Sequence, residues 1–236
     1  MSIPSRKIKL NLFLRRPPPG DNYSIERLFD AVAAALPAHR YEVRLRVCPI
    51  ENRGLLRRLA LIVWAACSQS DVNHVTGDVN FLGLLMRRSR TLLTITDSAS
   101  MQRLVGWKRW FYRTFWIRLP IWRAGHVVVI SEATLHETLS YVRSDYAKFS
   151  VIPCCTPRGL SAEPQPFPDS RPRILAVGTK PNKNLPRLIE ALAGVPCRLV
   201  VVGALTESQQ ELLAREGGRQ RSERVLRGWT RQVMAT

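Results

Sequence analysis

The chain has 236 residues, 45% of them hydrophobic and 23% charged, with 36 Lys and Arg against 18 Asp and Glu and a formal charge of +18. That length carries one large domain or two smaller ones, with a core that needs no disulfide or metal staple; the composition excludes a disordered chain and a multi-span membrane protein. The charge attracts nucleic acid, an anionic membrane surface or an anionic small molecule, although only six of the cations are Lys and coding bias toward Arg is a competing source of the excess.

In chain order, residues 8–14 predict a strand, followed by a Pro/Gly turn and a helix over 24–36. A strand at 41–48, a helix over 55–68 and a short strand at 72–75 come next, and another helix begins in 79–86. Residues 91–96, β-branched and apolar, predict a buried strand, and 104–122 have helical spacing. A fifth strand at 126–130 leads to Ser131, placed to N-cap a helix over 132–141, and 149–153 form a short strand. Strands alternating with helices imply parallel strands with helical crossovers, an α/β fold with a doubly wound, Rossmann-like sheet. Several strands are unbroken apolar runs, as strands covered on both faces are.

The composition then shifts. Residues 156–172 are rich in Pro and Ser without any period and read as a linker between a first domain over 1–155 and a second unit over 173–236. The second unit has a strand at 173–177, a loop at 178–184, a helix over 185–192, a strand at 198–202 and a helix over 208–215. Its last 20 residues carry only scattered hydrophobes, so it reads as a partial domain.

The first 20 residues show no sustained apolar stretch and no small-residue cleavage site. The longest apolar run, 59–67, falls short of the roughly 20 residues that cross a bilayer. A cytoplasmic location follows as the expectation. Cys48, Cys67, Cys154, Cys155 and Cys197 form no CxxC pair and read as buried thiols in a reducing compartment, the adjacent Cys154 and Cys155 as packing residues rather than metal ligands.

Ligands of open α/β sheets bind beyond the carboxyl ends of the strands, so the residues that follow each strand are the candidates. The turn 15–24, with Gly20, can present backbone N–H groups to an anion or simply connect strand to helix; it is no GxGxxG fingerprint, and no dinucleotide cofactor is expected. His74 and Asp78 flank Gly77 in DVNHVTGDVNFL, and a His at a strand end can hydrogen-bond a substrate hydroxyl or phosphate. Asp97, ending TLLTITD, can orient a sugar hydroxyl or cap a helix. In VGTKPNKNLPRLIEAL, Gly178 ends a strand, Lys180 and Lys183 follow, and Asn184 can cap the next helix; two cations beside free helix-terminal N–H groups suit a diphosphate. The segment WKRWFYRTFWIRLPIW holds Trp107, Trp110, Trp116 and Trp122 among Arg and Lys. It reads as a core helix with snorkelling cations, as a helix lying on an anionic membrane, or as a stacking surface for nucleic-acid bases.

At DVNHVTGDVNFLGLL, TLLTITD, RLPIWRAGHVVVISEAT leading into VIPCC, and VGTKPNKNLPRLIEAL, the sequence resembles the group-1 (family 4) glycosyltransferases of bacteria, over roughly residues 7–215. The resemblance implies the GT-B fold: a complete Rossmann-like N-terminal domain on the acceptor side and, here, part of a second Rossmann-like domain that binds the nucleotide-sugar. It implies a retaining hexosyl transfer from a nucleotide-sugar to a saccharide or lipid-linked acceptor in cell-surface polysaccharide assembly, without metal or other cofactor. By position, Lys183 resembles the diphosphate-binding lysine, with Lys180, Asn184 and Gly178 beside it, and His74 the histidine near the transferred sugar. His74 and Asp97 are the expected catalytic residues; Gly20, Asp78 and Ser131 are expected on the acceptor side. Partners implied are the donor, the acceptor and peripheral contact with the inner face of an anionic membrane, without nucleic acid.

The sequence departs from the family's pattern at three places. Thr179-Lys180 stands where an Arg is common, Thr96 stands where a His is common, and the paired-Glu donor motif has no counterpart, which reads as truncation and weak or absent activity. The competing reading is a non-enzymatic basic module for anionic membrane or nucleic acid.

Overall fold

The apolar runs become parallel strands because each is followed by a helix that returns the chain to the same edge. A computed structural model describes residues 6–16, 24–97, 101, 104–155, 172–217 and 225–226. The chain divides into two units, Met1–Ser161 and Ala162–Thr236.

In the first unit, β1 (Ile8–Leu14), β2 (Tyr41–Val47), β3 (Val72–Thr76), β4 (Thr91–Ile95), β5 (His126–Val129) and β6 (Phe149–Val151) form one parallel sheet in the order β2-β1-β3-β4-β5-β6. Register aligns Phe13, Val75, Leu93, Val127 and Phe149 in a row across five strands. This row is buried under α2 (Leu55–Cys67), a 3-10 turn (Asn80–Leu85) and the helical segment that carries Trp116, Ile117 and Ile121. The opposite face places Leu12 and Leu14 against Phe29 of α1 (Ser24–Ala35). Each large side chain sealed in this way contributes roughly 1.5–3 kcal/mol.

The helical segment before β5 is not one regular helix. It runs as α3 (Gly106–Tyr112), a π-helical stretch (Arg113–Arg118) and α4 (Leu119–Arg123). Pro120 has no N–H to give the carbonyl of Trp116 four residues earlier. Asn80 Nδ2 donates to that carbonyl at 3.1 Å instead, tying the 3-10 turn to the helix. Gly125, between α4 and β5, meets another backbone closely: a Cβ there would stand 2.5 Å from the carbonyl oxygen of Arg88. After β5, α5 (Glu132–Tyr141) starts at Ser131, whose Oγ accepts from the N–H of Thr134 at 3.1 Å.

The second unit has β7 (Arg173–Val177), β8 (Arg198–Val202) and β9 (Val225–Leu226) in one parallel sheet, with α6 (Leu185–Ala191) and α7 (Glu207–Gly217). Its core is small: Leu185, Ile189, Leu199 and Val201 are buried, with Ile174, Ala176, Leu212 and Leu213 packed against them. β9 lies in the tail that read as scattered hydrophobes; two residues are too few to show a period, and only pairing with β8 makes them a strand.

Two further expectations are corrected. The helix expected to begin in 79–86 is a six-residue 3-10 helix. The thiols are not uniformly buried: Cys48 and Cys197 are, whereas Cys67, Cys154 and Cys155 are exposed, and none is bridged. Cys154 and Cys155 lie just past β6, where the chain leaves the sheet edge.

Candidate functional site

The strand order reverses at β1: the chain goes to β2 on one side and then to β3 on the other. That switch point opens a crevice beyond the carboxyl ends of β1 and β3, the usual ligand position in such sheets. Arg15 follows β1 directly, and Gly77 and Asp78 follow β3. Both Gly77 (φ 71°) and Asp78 (φ 54°) are left-handed, which turns the chain sharply and brings the Asp78 carboxylate back toward β1. Arg15 Nη1 donates to Asp78 Oδ2 at 2.9 Å, and its Nε donates to Glu26 Oε1 at 2.9 Å. Two carboxylates from two different elements thus hold one guanidinium at the switch point. Arg15 and Asp78 border a cavity of about 240 Å³ that Arg16, Glu51, Asn52 and Arg53 also line. The second oxygen of Glu26 is buried without a hydrogen-bond partner.

His74 is not at the strand end. β3 continues to Thr76, so His74 is its middle residue, in register with Leu12 and Leu92. Its Nε2 lies 2.7 Å from Thr94 Oγ1, and its ring meets Phe29 edge-on with centroids 5.0 Å apart. Burial alone pushes its pKa down to about 4, because the charged ring has lost its water. His74 is therefore neutral near pH 7. It borders an apolar cavity of about 420 Å³ with Leu92, Val128, Ile130 and Ile152.

Asp97, the other expected catalytic residue, and the remaining residues expected on the acceptor side separate. Asp97 is exposed two residues past β4, at the carboxyl edge. Ser131 is two residues past β5, and its hydroxyl is engaged in capping α5 and in a 3.0 Å contact with Thr134 Oγ1. Gly20 lies outside the described residues.

In the second unit, the loop from Gly178 to Asn184 follows β7. Gly178 has φ +88°, and a Cβ there would stand 3.2 Å from Lys183 Cγ and 3.3 Å from Cε. Glycine therefore lets the Lys183 stem lie across the strand end while its ammonium stays exposed. The Gly178 N–H donates to the carbonyl of Val202 at 2.8 Å, and Gln209 Nε2 donates to the carbonyl of Thr179 at 2.9 Å, which anchors the loop to β8 and α7. Lys180 precedes a 3-10 turn (Pro181–Lys183), whose last N–H bonds the Lys180 carbonyl at 2.8 Å. Asn184 occupies the N-cap position of α6 but makes no side-chain capping bond; at φ 57° it is left-handed, so its contribution is the turn itself.

The structure thus gathers Gly178, Lys180, Lys183 and Asn184 in one loop and puts Asp78 at the switch point. It keeps His74 in the sheet and Asp97 and Ser131 at separate strand ends. Sequence reading missed Arg15 and Glu26 as partners. The signal in the sequence is the Arg pair directly after the first strand, whose side chains, as well as the backbone of the turn, are placed to act. Among the described residues, no group of three or more His, Cys, Asp or Glu could hold a metal ion, and no helix is long and apolar enough to cross a membrane.

No protein-family model matches the chain, and no curated protein does. Solved structures do. A protein assigned as a UDP-N-acetylglucosamine 2-epimerase from Listeria monocytogenes is similar with a TM-score of 0.62 at 15% identity, over 93% of this chain and 69% of that one. HepE of Anabaena, crystallised with UDP and glucose, is similar with a TM-score of 0.58 at 12% identity, over 92% of this chain and 68% of that one. The parallel sheets, their order and this likeness show an α/β chain of GT-B type fold.

Proposed function

We propose that the chain is a retaining glycosyltransferase of the group-1 (family 4) kind, moving a sugar from a nucleotide-sugar to a saccharide or lipid-linked acceptor in cell-surface polysaccharide assembly. The observation that carries this reading is the loop after β7: Gly178 opens the strand end, and the Lys183 stem crosses it. Lys180 and Lys183 offset the charge of a donor diphosphate, and the developing charge on it as the glycosidic bond breaks is stabilised most. The fold is shared with a protein that binds UDP and glucose. On the acceptor side, Asp78 and Asp97 accept hydrogen bonds from sugar hydroxyls, and Arg15, clamped by Glu26, orients Asp78. His74, held neutral, acts by hydrogen bonding and shape rather than by carrying a proton.

The exposed Trp107, Trp110 and Trp122, beside Lys108, Arg109 and Arg123, suit an anionic membrane interface, where lipid-linked acceptors reside. Calorimetric titration with a panel of nucleoside diphosphates and their sugars tests the reading. Saturable binding of one of them is expected, weakened roughly tenfold in Lys183→Met by the loss of a charge-assisted hydrogen bond. Salt-sensitive oligonucleotide binding with no nucleotide-sugar binding would overturn it in favour of a basic binding module.

A further inference from the structure

At the other end of the first unit's sheet, away from the switch point, lies a cavity of about 480 Å³. It opens below the amino ends of β1, β3 and β4, beside the last turn of α2. Its lining includes Arg6, Lys9, Arg44, Arg46, Arg87 and Arg90, with Asp71 as the one carboxylate among the described residues. Asp71 is committed already: Arg6 approaches one oxygen at 3.4 Å, and the backbone N–H of Lys9 donates to the other at 3.0 Å. Arg44 is paired with Glu42. Among the described residues, no carboxylate lies within ion-pair distance of the side chains of Lys9, Arg46, Arg87 or Arg90. Asp71 also attracts Arg90 and Lys9, but six cations around one space that one carboxylate lines repel one another, and an anion relieves that repulsion.

Two polar atoms sharpen the chemistry. Arg46 Nε is buried and donates to nothing. Asn11, 1% exposed, donates from Nδ2 to the Ser68 carbonyl at 2.6 Å, which fixes its amide, and its Oδ1 accepts from nothing. A buried donor and a buried acceptor left unmatched are each unfavourable, because both have lost their water without gaining a partner. Both belong to residues that line the cavity, on neighbouring strands: Asn11 is in register with Arg44, two residues before Arg46. An inorganic anion that carries no O–H serves the arginine alone. A ligand with both an anionic group and hydroxyls serves both atoms.

We propose that this cavity is a second ligand site, separate from the candidate transfer site, that takes a phosphorylated saccharide: phosphate on Arg46, Arg87 and Arg90, a sugar hydroxyl donating to Asn11 Oδ1. The volume is that of a small-molecule pocket.

The test is calorimetric titration of the full chain at physiological salt, where loose surface attraction is screened, with glucose 1-phosphate, inorganic phosphate and glucose as probes. It is run on the wild type and on Lys183→Met, which removes one of the two cations of the nucleotide loop. Glucose 1-phosphate is expected to bind saturably to both with equal affinity, several-fold tighter than inorganic phosphate, and glucose not at all. Arg46→Met should weaken glucose 1-phosphate roughly tenfold, and the exposed Arg87→Met several-fold, while nucleotide-sugar binding stays unchanged in both. Glucose 1-phosphate binding that vanishes with Lys183→Met, that equals inorganic phosphate, or that survives Arg46→Met and Arg87→Met undiminished would overturn the proposal. Because Arg87 is exposed, its variant folds even where Arg46→Met does not. The nucleotide-sugar titration reads the transfer site independently, so failure of one reading leaves the other standing.

Discussion

In the first unit, β1 lies between β2 and β3 with Phe13 sealed on one face and Leu12 and Leu14 on the other. In the second unit, β7 alternates: Ile174 and Ala176 meet the core, whereas Leu175 and Val177 are 59% and 60% exposed. Both strands are mostly apolar, five of seven residues in β1 and four of five in β7, so composition does not decide burial. The difference is the helices. α1 and α2 sit on opposite faces of the first sheet, whereas the core of the second, among the described residues, lies on one face only. A parallel strand reaches full stability only when both faces are dry.

The difference in burial sets the largest expected effect. Phe13→Ala should cost about 3–5 kcal/mol, read by denaturant unfolding followed through tryptophan fluorescence, since five of the six Trp belong to the first unit. Hydrogen exchange on the wild type should show β7 and β8 opening before β1 and β3. Equal protection of the two sheets would break the comparison.

Acid should separate the units next. His74 is held neutral with its pKa near 4, below the 6.5 of the unfolded chain. Between those values the unfolded state binds more protons, so the stability that this group contributes is complete above pH 6.5 and is lost as pH falls toward about 4. The loss is on the order of 3 kcal/mol and is confined to the first unit. In His74→Asn the dependence of the first unit's unfolding midpoint on pH in this window should flatten. An unchanged slope would place the titration elsewhere.

The smallest effect concerns helix starts. Ser131 caps α5 through its hydroxyl, whereas Asn184 only turns the chain into α6. Ser131→Ala should cost about 1 kcal/mol, while Asn184→Gly should cost little or nothing, since glycine adopts the left-handed conformation more readily. Thermal unfolding of the two variants reads the contrast.

Much of the element plan is legible without a structure. β1, β7, β8 and α5 have the bounds that local periodicity predicts, because period 2 or 3.6 is a property of a few adjacent residues. The cap at Ser131 is legible for the same reason. β9 and the π-helical stretch are not: one depends on pairing with a distant strand, the other on a proline whose lost bond is replaced by Asn80.

The candidate site divides along the same line. Gly178, Lys180 and Lys183 are neighbours in sequence, so their loop could be read directly. The Arg15 clamp joins residues 11 and 63 positions apart. The basic cavity takes cations from β1, β2 and the segment before β4, so it exists only once the strand order β2-β1-β3-β4 is set. Composition and local pattern determined that this chain is a highly basic α/β protein of alternating strands and helices. Tertiary structure alone decided where the charge gathers, that His74 is walled into the sheet and that Cys67, Cys154 and Cys155 face outward. The physical reason is that burial and charge density are properties of three-dimensional neighbourhoods, and these neighbourhoods are assembled by strand order and not by sequence proximity.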